Sequence, residues 1–157
     1  MKEFTHFDRE GRAKMVDVTE KITTKRSAVA TGTIFMKQET LSLIEENRII
    51  KGDVLTVAKV AGIMGAKRVS ELIPLTHPIR ITSCDLYFEF LKDRRSAAKA
   101  KAGVKIIAQV KARDTTGCEM EALSAVACAA LTIYDMCKAV DKEMVIGDIY
   151  LLEKRKE

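Results

Sequence analysis

With 157 residues, 47% of them hydrophobic and 31% charged, the chain is long enough for one packed core and short of two comfortable domains. Its net charge of +5 suits nucleic acid or a small polyanion equally, so the placement of the charges has to decide between them. No uninterrupted apolar run approaches the roughly 18 residues of a bilayer span, and the opening Met1-Lys2-Glu3-Phe4-Thr5-His6-Phe7-Asp8 has no apolar export stretch, so a cytoplasmic protein without a membrane is the default expectation.

Residues 1–25 mix charge with Thr and Gly, show little periodicity, and read as an irregular arm before a single domain over 26–157. From Ala28 to Met36 the β-branched and aromatic content of Val29, Thr31, Thr33 and Phe35 predicts a strand. Glu39 to Glu46 offers a short amphipathic helix. Lys51-Gly52-Asp53 then makes a turn with Asp53 as N-cap of a helix through Leu55, Ala58, Ala61 and Ile63. Ser70-Glu71-Leu72-Ile73 closes the helical region at Pro74.

Pro74 and Pro78 are the only prolines, and they bracket Leu75-Thr76-His77, which forbids helix there and stiffens the loop that carries His77. Alternation over Leu86, Phe88 and Phe90, and again over Val104, Ile106, Ala108 and Val110, predicts two half-buried strands in a hairpin. Their connection, Lys92 to Lys101, is basic and reads as solvated surface. Thr115-Thr116-Gly117 turns the chain into a long helix from Glu119 to about Val140, and Met144 to Leu152 returns as the last strand. The order β-α-α-β-β-α-β matches a ferredoxin-like α+β fold, an antiparallel sheet with helices packed on one face.

The four cysteines, Cys84, Cys118, Cys128 and Cys137, lie far apart with no C-x-x-C and no histidine at zinc spacing, so free thiols and no metal site are expected. On the long helix Glu121, Cys128, Asp135 and Lys138 follow steps of seven and three residues, which predicts a shared stripe. A carboxylate and an ammonium at i, i+3 are most often a surface pair worth a few tenths of a kcal/mol. The surrounding Ile133, Tyr134, Met136, Cys137 and Val140 favour burial instead, which would perturb both groups toward acid–base use. Glu119 and Glu121 suit the helix N-terminus electrostatically and need no function. Since Glu121 and Asp135 are 14 residues apart, about 21 Å on an ideal helix, a site using both needs neighbouring subunits. Lys51 beside a helix start suits phosphate but forms no Walker loop. His77 is either a surface histidine or an acid, base or phosphate donor.

Taken together, Met15-Val16-Asp17-Val18, Lys51-Gly52-Asp53-Val54, Leu72-Ile73-Pro74-Leu75-Thr76-His77-Pro78, Gly117-Cys118-Glu119-Met120-Glu121-Ala122-Leu123 and Ala130 to Val140 closely resemble the cyclic pyranopterin monophosphate synthase family, molybdenum cofactor biosynthesis protein C. The likeness runs in order from Met15 to Lys154, and departs where the family commonly has cysteine at the position of Thr76 and a small or β-branched residue at that of Cys118. It implies a lyase that converts 3′,8-cyclo-7,8-dihydroguanosine triphosphate into cyclic pyranopterin monophosphate and diphosphate, before sulfur and molybdenum are inserted. Asp135 then matches the family's catalytic aspartate, Lys138 its helical partner lysine and Lys51 a further catalytic cation. Leu75, Thr76, His77, Glu119, Met120, Glu121, Arg26 and Lys154 match its substrate-binding residues. The resemblance further implies a homohexamer, a trimer of dimers with interfacial sites, and no cofactor that the sequence demands, magnesium being a possible assistant.

Two rival readings remain from the residues. A nucleic-acid module is disfavoured by 5% aromatics and the absence of an RNP-like aromatic strand. A non-catalytic nucleotide-binding regulatory domain would differ only by lacking turnover.

Overall fold

The computed structural model describes residues 10–92 and 102–157. Expectations about Met1 to Asp8 and about residues 93–101 of the basic connection lie outside that range. The elements run β1 (Thr24–Met36), α1 (Gln38–Glu45), α2 (Val54–Lys67), α3 (Val69–Leu72), β2 (Ile81–Leu91), β3 (Ala102–Asp114), α4 (Glu119–Cys137) and β4 (Val145–Lys156). The sheet order is β2-β3-β1-β4 and each neighbouring pair is antiparallel, the ferredoxin-like arrangement.

Period-two alternation decides which sheet face is the core. Ala28, Ala30, Ile34 and Met36 of β1 and Val104, Ile106, Ala108, Val110 and Ala112 of β3 are buried under the helices. α4 meets them with Ala122, Ala125, Val126, Ala129, Ala130 and Ile133, at i, i+3, i+4 spacing, all 0% exposed. Burying Ile133 alone contributes about 2 kcal/mol. Contrary to the expectation from uninterrupted runs, α4 is long and apolar enough to cross a bilayer. Its apolarity is accounted for by this stripe against the sheet and by its packing on α2.

α2 begins as the sequence suggests: the Asp53 carboxylate accepts from the Thr56 N–H at 3.0 Å and from its hydroxyl at 2.5 Å. α1 starts at Lys37, which offers no side-chain cap. Its cap comes from across the fold, where the carboxylate of Asp141, 1% exposed, accepts from Lys37 N–H at 2.9 Å, Thr40 Oγ1 at 3.1 Å and Glu143 N–H at 3.0 Å. The same clamp stops α4 at Cys137, about three residues before the expected end, as Val140 and Asp141 N–H groups both turn back to the Cys137 carbonyl.

Two strands are longer than periodicity suggests. β1 starts at Thr24 and β4 continues to Lys156, because Arg26, Ser27 and Ala28 pair with Lys156, Arg155 and Lys154. These polar ends lack the apolar alternation by which a strand is recognised and are held by each other's backbone.

Candidate active site

The C-terminal end of α4 carries one carboxylate between two ammonium groups. Lys138 Nζ lies 2.7 Å from Asp135 Oδ1, and Lys51 Nζ lies 2.9 Å from Oδ2 while also donating to the Asp135 carbonyl at 2.9 Å. Lys51 reaches there from a turn closed by Gly52 N–H to the Ile49 carbonyl, with Gly52 at φ +101°, a conformation that suits glycine. A carboxylate at a helix C-terminus is disfavoured by the macrodipole, and the two cations offset this. The hydrogen bonds from Lys138 and Lys51, with their charges, hold the Asp135 carboxyl down at about 2. Its bond to Asp135 raises Lys138 in turn.

Hydrogen bonds and charge outweigh burial in that tuning, contrary to the expectation from the surrounding apolar residues, and the small desolvation of each group opposes its shift. The side chains of Asp135 and Lys138 are each 56% exposed. Ile133, Met136 and Cys137 turn into the core while residues 135 and 138 face outward, since sequence neighbours on a helix point about 100° apart. The predicted stripe does not share one environment, being buried at Glu121 and exposed at Asp135 and Lys138. Glu121 is 4% exposed at the other end of α4, and Cys128 packs toward Gly65 of α2. The 17-residue step from 121 to 138 turns the helix about 100° short of whole turns.

At the N-terminal end of α4, Leu75, Thr76, His77, Glu119, Met120 and Glu121 come together around a cavity of about 440 Å³, with Val16, Val18, Lys21, Thr116 and Gly117 completing its wall. Thr76 is tied down, its hydroxyl donating to the Ile73 carbonyl at 2.8 Å, so it shapes the loop while His77 faces Asp17 and Asp114 electrostatically. Helix-dipole stabilisation of Glu121 loses to desolvation: burial, reinforced by Glu119 and Asp114, pushes its carboxyl up to about 7. Glu119 also borders an adjoining cavity of about 290 Å³ with Arg26 and Lys154. Lys154 Nζ pairs with Glu119 Oε1 at 3.1 Å, and Arg26 Nη2 donates to the Thr115 carbonyl at 3.1 Å while its buried Nε has no partner among the described residues.

Eleven anticipated residues therefore form two groups, Lys51, Asp135 and Lys138 at one end of α4 and the other eight at its opposite end, joined by no hydrogen bond or ion pair among the described residues. Lys21 escaped the sequence reading because the arm has no periodicity, and the only signal near it was the family-like Met15-Val16-Asp17-Val18. The cysteines are free, as expected, with Cys118 buried and donating to the Val110 carbonyl at 3.5 Å. Among the described residues no group of three His, Cys, Asp or Glu side chains is placed to hold a metal ion.

Residues 15–157 match the MoaC family. The chain is 58% identical over 150 residues to the cyclic pyranopterin monophosphate synthase of Thermoanaerobacter pseudethanolicus, covering 96% of this chain and 90% of the relative. It is 55% identical to the synthase of Listeria monocytogenes over 152 residues, 97% and 90% of the two chains, and 54% identical to that of Clostridium acetobutylicum over 151 residues, 96% and 89%. The chain belongs to the MoaC family.

Proposed function

We propose that the chain is a cyclic pyranopterin monophosphate synthase, a phosphorus–oxygen lyase that turns (8S)-3′,8-cyclo-7,8-dihydroguanosine 5′-triphosphate into cyclic pyranopterin monophosphate and diphosphate in molybdenum cofactor biosynthesis. The observation that carries this reading is the carboxylate of Asp135 held between Lys51 and Lys138, in a chain more than half identical to synthases of that name. Ring opening and reclosure of the purine-derived skeleton need a base and an acid, and Asp135 and Lys138 supply them. A sugar hydroxyl then attacks the α-phosphorus, its proton passes to a base, and the bond to the β-phosphate breaks.

A carboxylate held at about 2 is a weak base. In our reading the incoming triphosphate competes for Lys51 and Lys138, and each hydrogen bond it takes returns basicity to Asp135. Phosphate binding thus arms the base. Arg26, Lys154 and His77 hold the phosphates and offset the charge on the leaving diphosphate, while Leu75, Thr76, Met120, Glu119 and Glu121 line the base-binding cavity. The steps are proton transfers and one phosphoryl transfer, which these side chains supply without a resident cofactor, and magnesium on the triphosphate would arrive as part of the substrate.

The two halves lie at opposite ends of α4, so one chain does not assemble the site. A homohexamer built as a trimer of dimers, in which α4 of one subunit brings Lys51, Asp135 and Lys138 to the cavity of another, resolves this. The reading makes the protein a cytoplasmic enzyme with a small-molecule substrate and involves neither nucleic acid nor membrane. Incubation of the purified protein with the cyclised triphosphate should yield cyclic pyranopterin monophosphate and diphosphate. An Asp135→Asn variant, folded and still binding, should yield neither. Near-normal turnover by that variant would sink the assignment.

A further inference from the structure

Arg26 and Lys154 serve the helix side of the sheet, and the other side of the same strand ends is unused by the proposed chemistry. Ala28, Val110 and Ala112 point into the core, so alternation sends Lys25 and Ser27 of β1 and Lys111 and Arg113 of β3 to the open face. In register Lys111 and Arg155 flank Ser27 from either side, and Arg113 lies opposite Lys25. Directly opposed side chains begin about 5 Å apart, where like charges repel and cost stability.

With Thr82 of β2, these residues line a cavity of about 360 Å³ whose lining carboxylate is Glu157. Lys25, Lys111 and Arg113 have no ion-pair partner among the described residues, and Arg155 is paired with Glu153. Arg26, which reaches the rim, has a buried Nε with no partner among the described residues. The fold thus maintains an opposed cationic pair, Lys25 and Arg113, with Lys111 and Arg155 in one concavity, where Glu157 lies in the lining and Glu153 offsets Arg155 alone.

We infer that this cavity binds a condensed phosphate, either inorganic or the tail of a nucleoside triphosphate, on the sheet face opposite α4. The cations form two cross-strand rows about 7 Å apart along the strands. A single phosphate answers one row, whereas two or three linked phosphates reach both. Confinement to one cavity, rather than a long basic stripe, fits a short phosphate chain and not a nucleic-acid backbone. This site goes beyond the proposed activity and does not depend on it, because it requires binding alone.

The test is calorimetric titration of inorganic triphosphate, inorganic monophosphate and GTP into the full chain carrying Lys51→Ala, Lys138→Ala, Lys154→Ala and His77→Ala, which removes the phosphate contacts of the proposed active site other than Arg26. That variant should bind triphosphate and be raised in Tm by it. Adding Lys111→Ala and Arg113→Ala should weaken binding at least tenfold, abolish the Tm increase, and leave the ligand-free Tm unchanged or higher because like charges are gone. Tighter binding of GTP than of inorganic triphosphate identifies the nucleotide as the source, and equal binding identifies the inorganic chain. The inference is overturned by triphosphate affinity that ignores Lys111 and Arg113, by no binding to the first variant, by monophosphate binding as tightly as triphosphate, or by a lower ligand-free Tm in the second variant.

Discussion

Glu121→Gln should make the protein more stable at pH 8 and leave its stability nearly unchanged at pH 4. In the folded chain burial raises the Glu121 carboxyl from its ordinary 4.5 to about 7, with Glu119 and Asp114 adding to the rise. Between those values the native state holds a proton that the unfolded state has lost, so stability falls as pH rises through that window and stays low above it. The gap between 4.5 and about 7, at about 1.4 kcal/mol per pH unit, sets an upper bound of about 3.5 kcal/mol. The carboxyl lines an open cavity, and solvent screening there leaves about 1–2 kcal/mol. Glutamine keeps the shape and cannot ionise. Urea unfolding of both proteins at a fixed concentration from pH 4.5 to 8.5 should show curves that separate progressively, with the variant above. A difference that does not vary with pH, or a variant less stable at pH 8, would refute the reasoning.

Asp141→Ala removes one buried carboxylate from three donors and should cost about 3 kcal/mol in urea unfolding at pH 7; a cost under about 1 kcal/mol would contradict the clamp described for α1 and α4. Burial alone would raise the Asp141 carboxyl, but hydrogen bonds from Lys37, Glu143 and Thr40 outweigh it and hold it below 3.8. Its stabilisation is therefore present above pH 3.8 and lost as pH falls through the lower folded value, so the wild-type advantage should shrink in acid. Gly62→Ala would place a methyl group 2.5 Å from Leu86 Cδ2 and 2.9 Å from the Ala125 carbonyl. The leucine can turn away and the α4 carbonyl cannot, so about 1–3 kcal/mol of overpacking should exceed the gain of about 1 kcal/mol in helix propensity. A lower Tm is expected, and a higher one would contradict the close packing of α2 on α4.

The order of elements and the sheet were legible because apolar alternation in β2 and β3 and the Asp53 cap of α2 are local signals. The polar ends of β1 and β4 were not, since their pairing depends on backbone partners more than 100 residues away in sequence. The end of α4 was missed for a similar reason, as Asp141 acts through Lys37 and Thr40, which no spacing connects to it. At the site, charge pattern and resemblance indicated Asp135, Lys138 and Lys51, but composition misjudged their burial. Apolar neighbours in sequence occupied the other side of the helix. Helix length alone did foretell that Glu121 and Asp135 stand too far apart to meet within one chain.

That separation permits the most direct measurement, complementation between two inactive variants. Asp135→Asn chains and His77→Ala/Glu119→Gln chains, co-expressed in equal amounts and assayed with the cyclised triphosphate, should regain activity, because a site shared between subunits draws its halves independently and about a quarter of sites are intact. Each variant purified alone should stay inactive. Mixed assemblies as inactive as the separate variants would contradict a site built from two subunits.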